Sequence, residues 1–446
     1  MSKILLFLFI GFISYCSSIV PKKKVEFDFE KPNIRIDNYP ETFNLKAKGP
    51  VLCGFKECTE ADTKDIDPDK IKTLTKHGIW EEYDEKTPVG DQEKYSVLGK
   101  KGRYEKGKRD GEWNFFYDVG QGNVGPILRT TNYKLGSKEG LEKKFSKEGL
   151  QTEETTYLKD LKDGPYWNKN NKGWMEEEGP YLKDKRDGQW TFYYAEEKDG
   201  QVKSITNFKN DEKDGKETRF HPNGSKKAEG NYITGLETGN WIYYYDNGSP
   251  EYEGMYDPQL SKVVDEEDKD RPSAERPKAK KVGVWKRYYK NGKVFSQGER
   301  DGKMKGEWLF YYPNGKLAAK GTMANDLMMS EGEIYGEDGL IEARGKFMIS
   351  ILKLDTKLDT IKISYKPSKP FIKFKNGKKY LEVSNASKEG AVQAYLYDES
   401  ETKIGEGPIE PMTQKKNGCW VINGKKVYYL MDKPKTGTMA KMQKCE

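Results

Sequence analysis

The chain has 446 residues, with 79 Lys and Arg against 72 Asp and Glu for a formal net charge of +7, and 13% of its residues are aromatic. Only two histidines occur, His77 and His221, and there is no phosphate-binding glycine loop, metalloprotease helix or serine elbow. The carboxylates scatter through turn sequences such as Lys-Arg-Asp-Gly, where Asp is a turn former, so the inventory argues against an enzyme and against a metal or nucleotide cofactor.

From the start of the chain, Met1 to Tyr15 has the layout of a secretion signal, with Lys3 as its basic start and Ile4 to Ile13 as its apolar stretch. It is too short for a permanent membrane span. Cys16 stands where a bacterial lipoprotein would be cleaved and acylated, although Tyr15 is bulkier than the residue that usually precedes such a cysteine. The other reading is ordinary secretion with cleavage near Ser17. Cys53, Cys58, Cys419 and Cys445 remain, an even number in a chain with an export signal, which suggests disulfides. Sequence order favours Cys53 with Cys58 and Cys419 with Cys445, among three connectivities. Zinc is disfavoured because no pair has Cys-x-x-Cys spacing. Residues 16–76 open as a charged tether and end near Val51 to Cys58 as a small cap on the first hairpin.

Residues 77–345 repeat one phrase. Gly283 to Lys293 and Gly306 to Lys316 both read Gly-x-Trp-x-x-Tyr-Tyr-x-Asn-Gly-Lys, 23 residues apart. Opening glycines of related units fall at 78, 111, 140, 164, 188, 215, 239, 283, 306 and 332, and a near-constant period is the signature of a repeat architecture. The linkers repeat too, as Tyr-Leu-Lys-Asp at 157–160 and 181–184 and Lys-Arg-Asp-Gly at 108–111 and 185–188. Within a unit an aromatic run such as Trp241 to Tyr245 stops at Asn247-Gly248, which predicts a strand entering a two-residue turn with both residues at positive φ. Each unit is thus expected to be a β-hairpin whose second strand carries Gly-x-Tyr. Strand alternation puts Trp80, Trp113, Trp190, Trp241, Trp285 and Trp308 on one face as the repeat core. It puts Phe116, Tyr193, Tyr244, Tyr288 and Tyr311 on the reverse face, as a candidate binding column. The unit at Gly140 lacks the Trp, and the unit at Gly164 shifts it to Trp167.

The phrase resembles the MORN repeat, and more closely its bacterial variant, often found under an antitoxin-repeat label. The resemblance covers roughly residues 78 to 345. It implies an all-β fold, an elongated single sheet of about ten hairpins used for binding, scaffolding or lipid contact, with no catalytic residues to carry over.

Two segments interrupt or extend the array. Residues 257–282 hold an acidic then a basic run with no aromatic residue; they cannot bury enough apolar surface to offset their ordering entropy and are expected to be a disordered insertion. Residues 346–446 lose the period and read as a small β-rich C-terminal domain with 20 Lys, no Arg and 11 Asp or Glu. That lysine excess either keeps the domain soluble or attracts acidic partners. Nucleic acid is disfavoured, since Arg, its bidentate reader, is absent there.

The functional expectation is a non-enzymatic repeat protein of the bacterial cell envelope, lipid-anchored in the outer membrane, that binds a protein partner as a scaffold. The alternatives are recognition of anionic lipid or glycan at the membrane surface, and an antitoxin-like binding protein.

Overall fold

Aromatic residues alternating with polar ones, broken every eight to twelve residues by Gly, Asn or Asp, favour strands, and all regular structure in the described residues is strand. The computed structural model describes residues 25–27, 34–38, 45–53, 56–57, 74–86, 95–120, 123–196, 200–261, 278–323, 326, 328–351, 363–386, 392–409, 416–430 and 433–435. They fall in two units, residues 1–185 and 186–446.

In the first unit Leu45–Cys53 pairs antiparallel with Gly78–Lys86, and Tyr95–Glu105, Lys108–Asp118, Val124–Lys134, Ser137–Phe145, Gln151–Leu158, Leu161–Lys169 and Met175–Leu182 come next, each against the one before it. Val51, on that first strand, is fully buried beside Trp80. The second unit runs as the same meander from Gly188–Tyr193 to Lys433–Lys435. The all-β hairpin array expected from the sequence is what forms.

Two boundaries differ from expectation. The hairpin around the insertion extends further than the composition suggests, because Pro250–Ser261 and Lys278–Tyr288 stay paired out to Ser261 opposite Lys278; the rest of that insertion, 262–277, lies outside the described residues. Residue 346 is not a break in pairing either. Ile341–Ile351 pairs with Ile363–Lys375 from Ala343 opposite Lys373 to Ile351 opposite Ile363. Further on, Gly418, Cys419 and Trp420 repeat the Gly-x-Trp opening inside the region read as a separate domain. Their signal was hidden because no Tyr-Tyr-x-Asn-Gly comes after them.

The turns also sort differently. Gly224, Gly248, Gly292 and Gly315 have φ of 87°, 85°, 81° and 92°, but the Asn before each stays out of the left-handed region. His221 N–H bonds to Ser225 O and Gly224 N–H to His221 O, which is a type I turn closed by a glycine bulge rather than a two-residue turn. Asn223 caps this turn by accepting from Ser225 N–H at 3.0 Å, a local bond that removes the need for positive φ at Asn. Turns with two left-handed residues lie at the other edge, in the linkers, as at Lys159 and Asp160 (51° and 70°) and Asn210 and Asp211 (52° and 72°).

Opening glycines make bulges, although Gly332 stays paired, opposite Gly321 and Gly345. Glu229 lies opposite Ile242 and Asn231 opposite Thr238, so Gly239 and Asn240 are extra on their strand, with Gly239 at φ 64°.

Candidate binding faces

The tryptophan face is closed by its own packing. Trp80, Trp113, Trp190, Trp241, Trp285 and Trp308 are at most 4% exposed. In the tryptophan units the first strand brings an indole over a glycine of the strand before it: Trp113 covers Gly102, Trp241 Gly230, Trp285 Gly254, Trp308 Gly298 and Trp420 Gly407, and a Cβ at any of these glycines would collide with the ring. The bulge frees the carbonyl just after that glycine, and the indole N–H takes it, except at Trp285, which donates to Val282 O at 3.1 Å. Trp113 donates to Arg103 O at 2.9 Å, Trp241 to Asn231 O at 3.1 Å and Trp308 to Glu299 O at 2.9 Å. This explains the Gly of the Gly-x-Tyr signature, for which the sequence alone offers no reason.

At five tryptophans a cation four residues earlier lies over the ring, whereas Trp241 and Trp308 have Glu237 and Met304 at that position. Lys76 is 4.3 Å from the Trp80 ring centre, Arg109 4.6 Å from Trp113, Arg186 4.6 Å from Trp190, Lys281 5.2 Å from Trp285 and Lys416 5.1 Å from Trp420. The repeated Lys-Arg-Asp-Gly linker therefore carries a cation–π lid. Sequence reading missed it, although the fixed offset was available as a signal.

In two units the tryptophan position holds a buried glutamate instead. Glu142 and Glu217 are 3% and 2% exposed. The residue beneath each is then threonine: Thr131 donates to Glu142 at 2.8 Å and Thr206 to Glu217 at 3.0 Å. The lysine at the lid position becomes an ion-pair partner, Lys138 at 2.7 Å and Lys213 at 2.6 Å. Burial pushes both carboxyls up, but Lys138, Thr131 and Arg129 around Glu142, and Arg219 and Lys213 around Glu217, outweigh it and hold both below the usual carboxylate range. In the Gly164 unit the inward position is taken by Tyr166, with Lys162 5.1 Å from its ring. Trp167 is thus not a shifted core residue; it lies on the reverse face opposite Glu154 and Glu178.

Successive hairpins are joined at the turn edge. The second tyrosine of each Tyr-Tyr pair donates to a carbonyl of the following unit: Tyr245 to Tyr288 O at 2.8 Å, Tyr289 to Tyr311 O at 2.7 Å and Tyr312 to Tyr335 O at 2.6 Å. His221 takes this place in its own unit, its Nε2 2.9 Å from Tyr244 O, which gives that histidine a packing role.

The reverse face is open and polar. Phe116, Tyr193, Tyr244, Tyr288 and Tyr311 are all half-buried. In the second unit Tyr244, Tyr288 and Tyr311 occupy the same place in consecutive hairpins, opposite Pro250, Val294 and Leu317, and Tyr335 opposite Ile341 extends the column. Tyr244 donates to Glu229 at 2.7 Å and Tyr288 to Glu253 at 2.6 Å. Burial and then that carboxylate raise the phenols, Tyr244 to about 12. At the next position glutamine replaces glutamate, and Gln297 donates to Tyr311 Oη at 3.3 Å. An open pocket of about 410 Å³ lies there, lined by Gly292, Lys293, Val294, Gln297, Tyr311 and Gly315. Phe116, in the first unit, lies opposite Ile127.

The other expected site residues are dispersed. Cys53 ends its strand, and Cys419 is half-buried opposite Tyr428; Cys16, Cys58 and Cys445 lie outside the described residues, as does the segment 1–15. Several lysines of the basic region have local partners: Lys379 and Lys403 pair with Glu382 and Glu406 at 3.2 and 2.9 Å and lie over Tyr397 and Tyr395.

Residues 213–233, 237–257, 281–301 and 304–325 each begin two residues before an opening glycine and end past the following Gly-x-Tyr or its equivalent. These four segments match the MORN repeat variant. They are the hairpins with Asn-Gly turns, and the MORN repeat variant segments include both a Glu217 unit and three tryptophan units. No curated protein matches the chain. Among solved structures, it is similar to a chain in the crystal structure of TcdB2-TccC3-TEV, at 10% identity with a TM-score of 0.15, over 90% of this chain and 25% of that one. It is likewise similar to a chain of a Photorhabdus luminescens Tc holotoxin pore, at 9% identity and TM-score 0.15, over 90% of this chain and 24% of the other. The chain thus spans about a quarter of the length of those chains.

Proposed function

We propose that the chain is a non-enzymatic repeat protein that works as a binding scaffold at the bacterial cell envelope, with its reverse face as the contact surface. The observation that carries this reading is the column Tyr244, Tyr288, Tyr311 and Tyr335, half-buried aromatics at one position of consecutive hairpins, while the tryptophans are sealed beneath glycine contacts and cation lids. Aromatic residues held rigid on an otherwise polar surface are what interface anchors require. The export signal and Cys16 add the location, an acylated N-terminus holding the protein at the outer membrane.

The test is cross-linking in intact cells with the wild-type chain and with a Tyr288→Ala, Tyr311→Ala double variant shown by its melting curve to be fully folded at the temperature of the experiment. A protein partner captured by the first and lost from the second is expected. Equal capture by both would remove the reverse face from the reading, and salt-sensitive binding to anionic vesicles without a protein partner would replace the scaffold with lipid recognition.

A further inference from the structure

Resting on that reading, we propose that the reverse-face column of the second unit is a docking strip for a proline-rich polypeptide in the polyproline II conformation, centred on the pocket at Tyr311. Three observations converge on this occupant: the period of the column, the chemistry beside it, and one unused phenol proton.

The period comes first. Tyr288, Tyr311 and Tyr335 recur every second strand, and two strands at their usual spacing advance about 9.6 Å. A polyproline II helix returns the same side to a surface every three residues, an advance of about 9.3 Å. Over the two steps between these tyrosines the mismatch accumulates to well under about 1 Å. An extended strand repeats its side every two residues, about 6.8 Å, and an α-helix needs 7.2 residues for two turns of about 10.8 Å, so neither keeps register. Sheet twist turns the strip from unit to unit, which limits engagement to neighbouring units and a ligand of about nine residues.

Next to the tyrosines this otherwise polar face carries a line of apolar side chains and a few donors. Opposite the tyrosines stand Pro250, Val294, Leu317 and Ile341, and Val294 and Tyr311 both line the pocket. Such surfaces suit pyrrolidine rings better than the hydroxyl-rich edges of a sugar chain. A polyproline helix has no internal hydrogen bonds, so its carbonyls need outside donors.

That donor is Tyr311. Tyr244 and Tyr288 give their protons to Glu229 and Glu253. Tyr311 instead accepts from Gln297, and among the described residues its own O–H is left to point at a ligand. The one place where the repeat exchanges glutamate for glutamine is the place where the pocket opens.

The experiment uses the full chain and a fluorescein-labelled nonaproline peptide, with a Gly/Ser nonapeptide as control, read by fluorescence anisotropy. Saturable binding of nonaproline, at least tenfold tighter than the control, is expected. Tyr311→Phe, which keeps the ring, and Gln297→Glu, which would draw the phenol proton inward, should each weaken it roughly three- to tenfold, and Lys134→Gln in the first unit should leave it unchanged. No binding of nonaproline, equal binding by the wild type and both variants, or saturable binding of chito- or cello-oligosaccharide in its place would overturn the proposal. A partner captured in cells through Tyr288 and Tyr311 that nonaproline does not displace would overturn it while leaving the scaffold reading intact.

Discussion

The Trp241 indole lies on Gly230, so tightly that a β-carbon at that glycine would enter the ring. The two residues stand on neighbouring strands of one hairpin junction and have no room to vary independently. Gly230→Ala is therefore expected to destabilise by about 1–3 kcal/mol, as overpacked cores do, and Trp241→Ala by about 3–5 kcal/mol. In the double variant the added methyl occupies part of the vacated space, so the losses should fall well short of their sum. Denaturant melts of the three variants test this, and simple additivity would mean that the contact is not tight.

The two faces should differ in energetic weight. Trp308 is buried and donates to Glu299 O, whereas the half-buried Tyr288 side chain donates its phenol proton to the cross-strand Glu253 carboxylate. Trp308→Ala should cost about 3–5 kcal/mol, and Tyr288→Ala about 1 kcal/mol. Equal shifts in thermal melts would show that the faces are not energetically distinct.

Acid should act through the buried glutamates. Glu142 and Glu217 are held below the usual carboxylate range, so each binds protons less readily folded than unfolded. Their contribution is complete above the unfolded value of about 4.3 and is lost as pH falls from there through the folded value. Melting temperature should drop between about pH 5 and pH 3, and the drop should be shallower in Glu217→Gln, which starts lower at neutral pH. Parallel curves for the two proteins would assign the acid sensitivity to other carboxylates.

Much of this was legible in the sequence because the period, the two-residue alternation and the Asn-Gly signals are all local. Those three features gave the hairpins, both faces and the six tryptophans. The glycine beneath each indole belongs to the strand before it, and its reason appears only once register is known. Trp167 misled because the phrase shifted by one residue, yet a bulge and Tyr166 kept the inward place filled. The Asn-Gly turns misled because asparagine can cap a type I turn with its side chain as readily as enter the left-handed region. Trp420 was missed because its unit keeps the Gly-x-Trp opening and Asn423-Gly424-Lys425 but lacks the Tyr-Tyr between them.

Anchoring is tested at Cys16. If it is acylated, Cys16→Ser should move the chain from the detergent phase to the aqueous phase on partitioning and abolish labelling by a fatty-acid analogue. Unchanged partitioning would leave ordinary secretion as the account of Met1 to Tyr15.

The exchange of Trp and Gly for Glu and Thr implies that the two pairs are alternative fillings of one slot. In the Glu217 unit Thr206 fills the glycine place and hydrogen-bonds the carboxylate, and Lys213 stands where Lys76 and Lys281 cover an indole. Glu217→Trp alone should drive the ring into the Thr206 side chain, and it also leaves Arg219, which reaches Glu217 at 2.6 Å, without its counter-charge. Thr206→Gly alone removes a buried hydroxyl donor and adds backbone freedom to a strand. Each should cost about 1–3 kcal/mol. Together they rebuild the Gly230 and Trp241 arrangement, with Lys213 free to lie over the new ring, so the double variant should recover at least about 1 kcal/mol of the summed losses. Urea melts of the wild type, both single variants and the double variant measure that coupling. A double variant that loses the full sum would show that the slot is set by surroundings beyond these two residues.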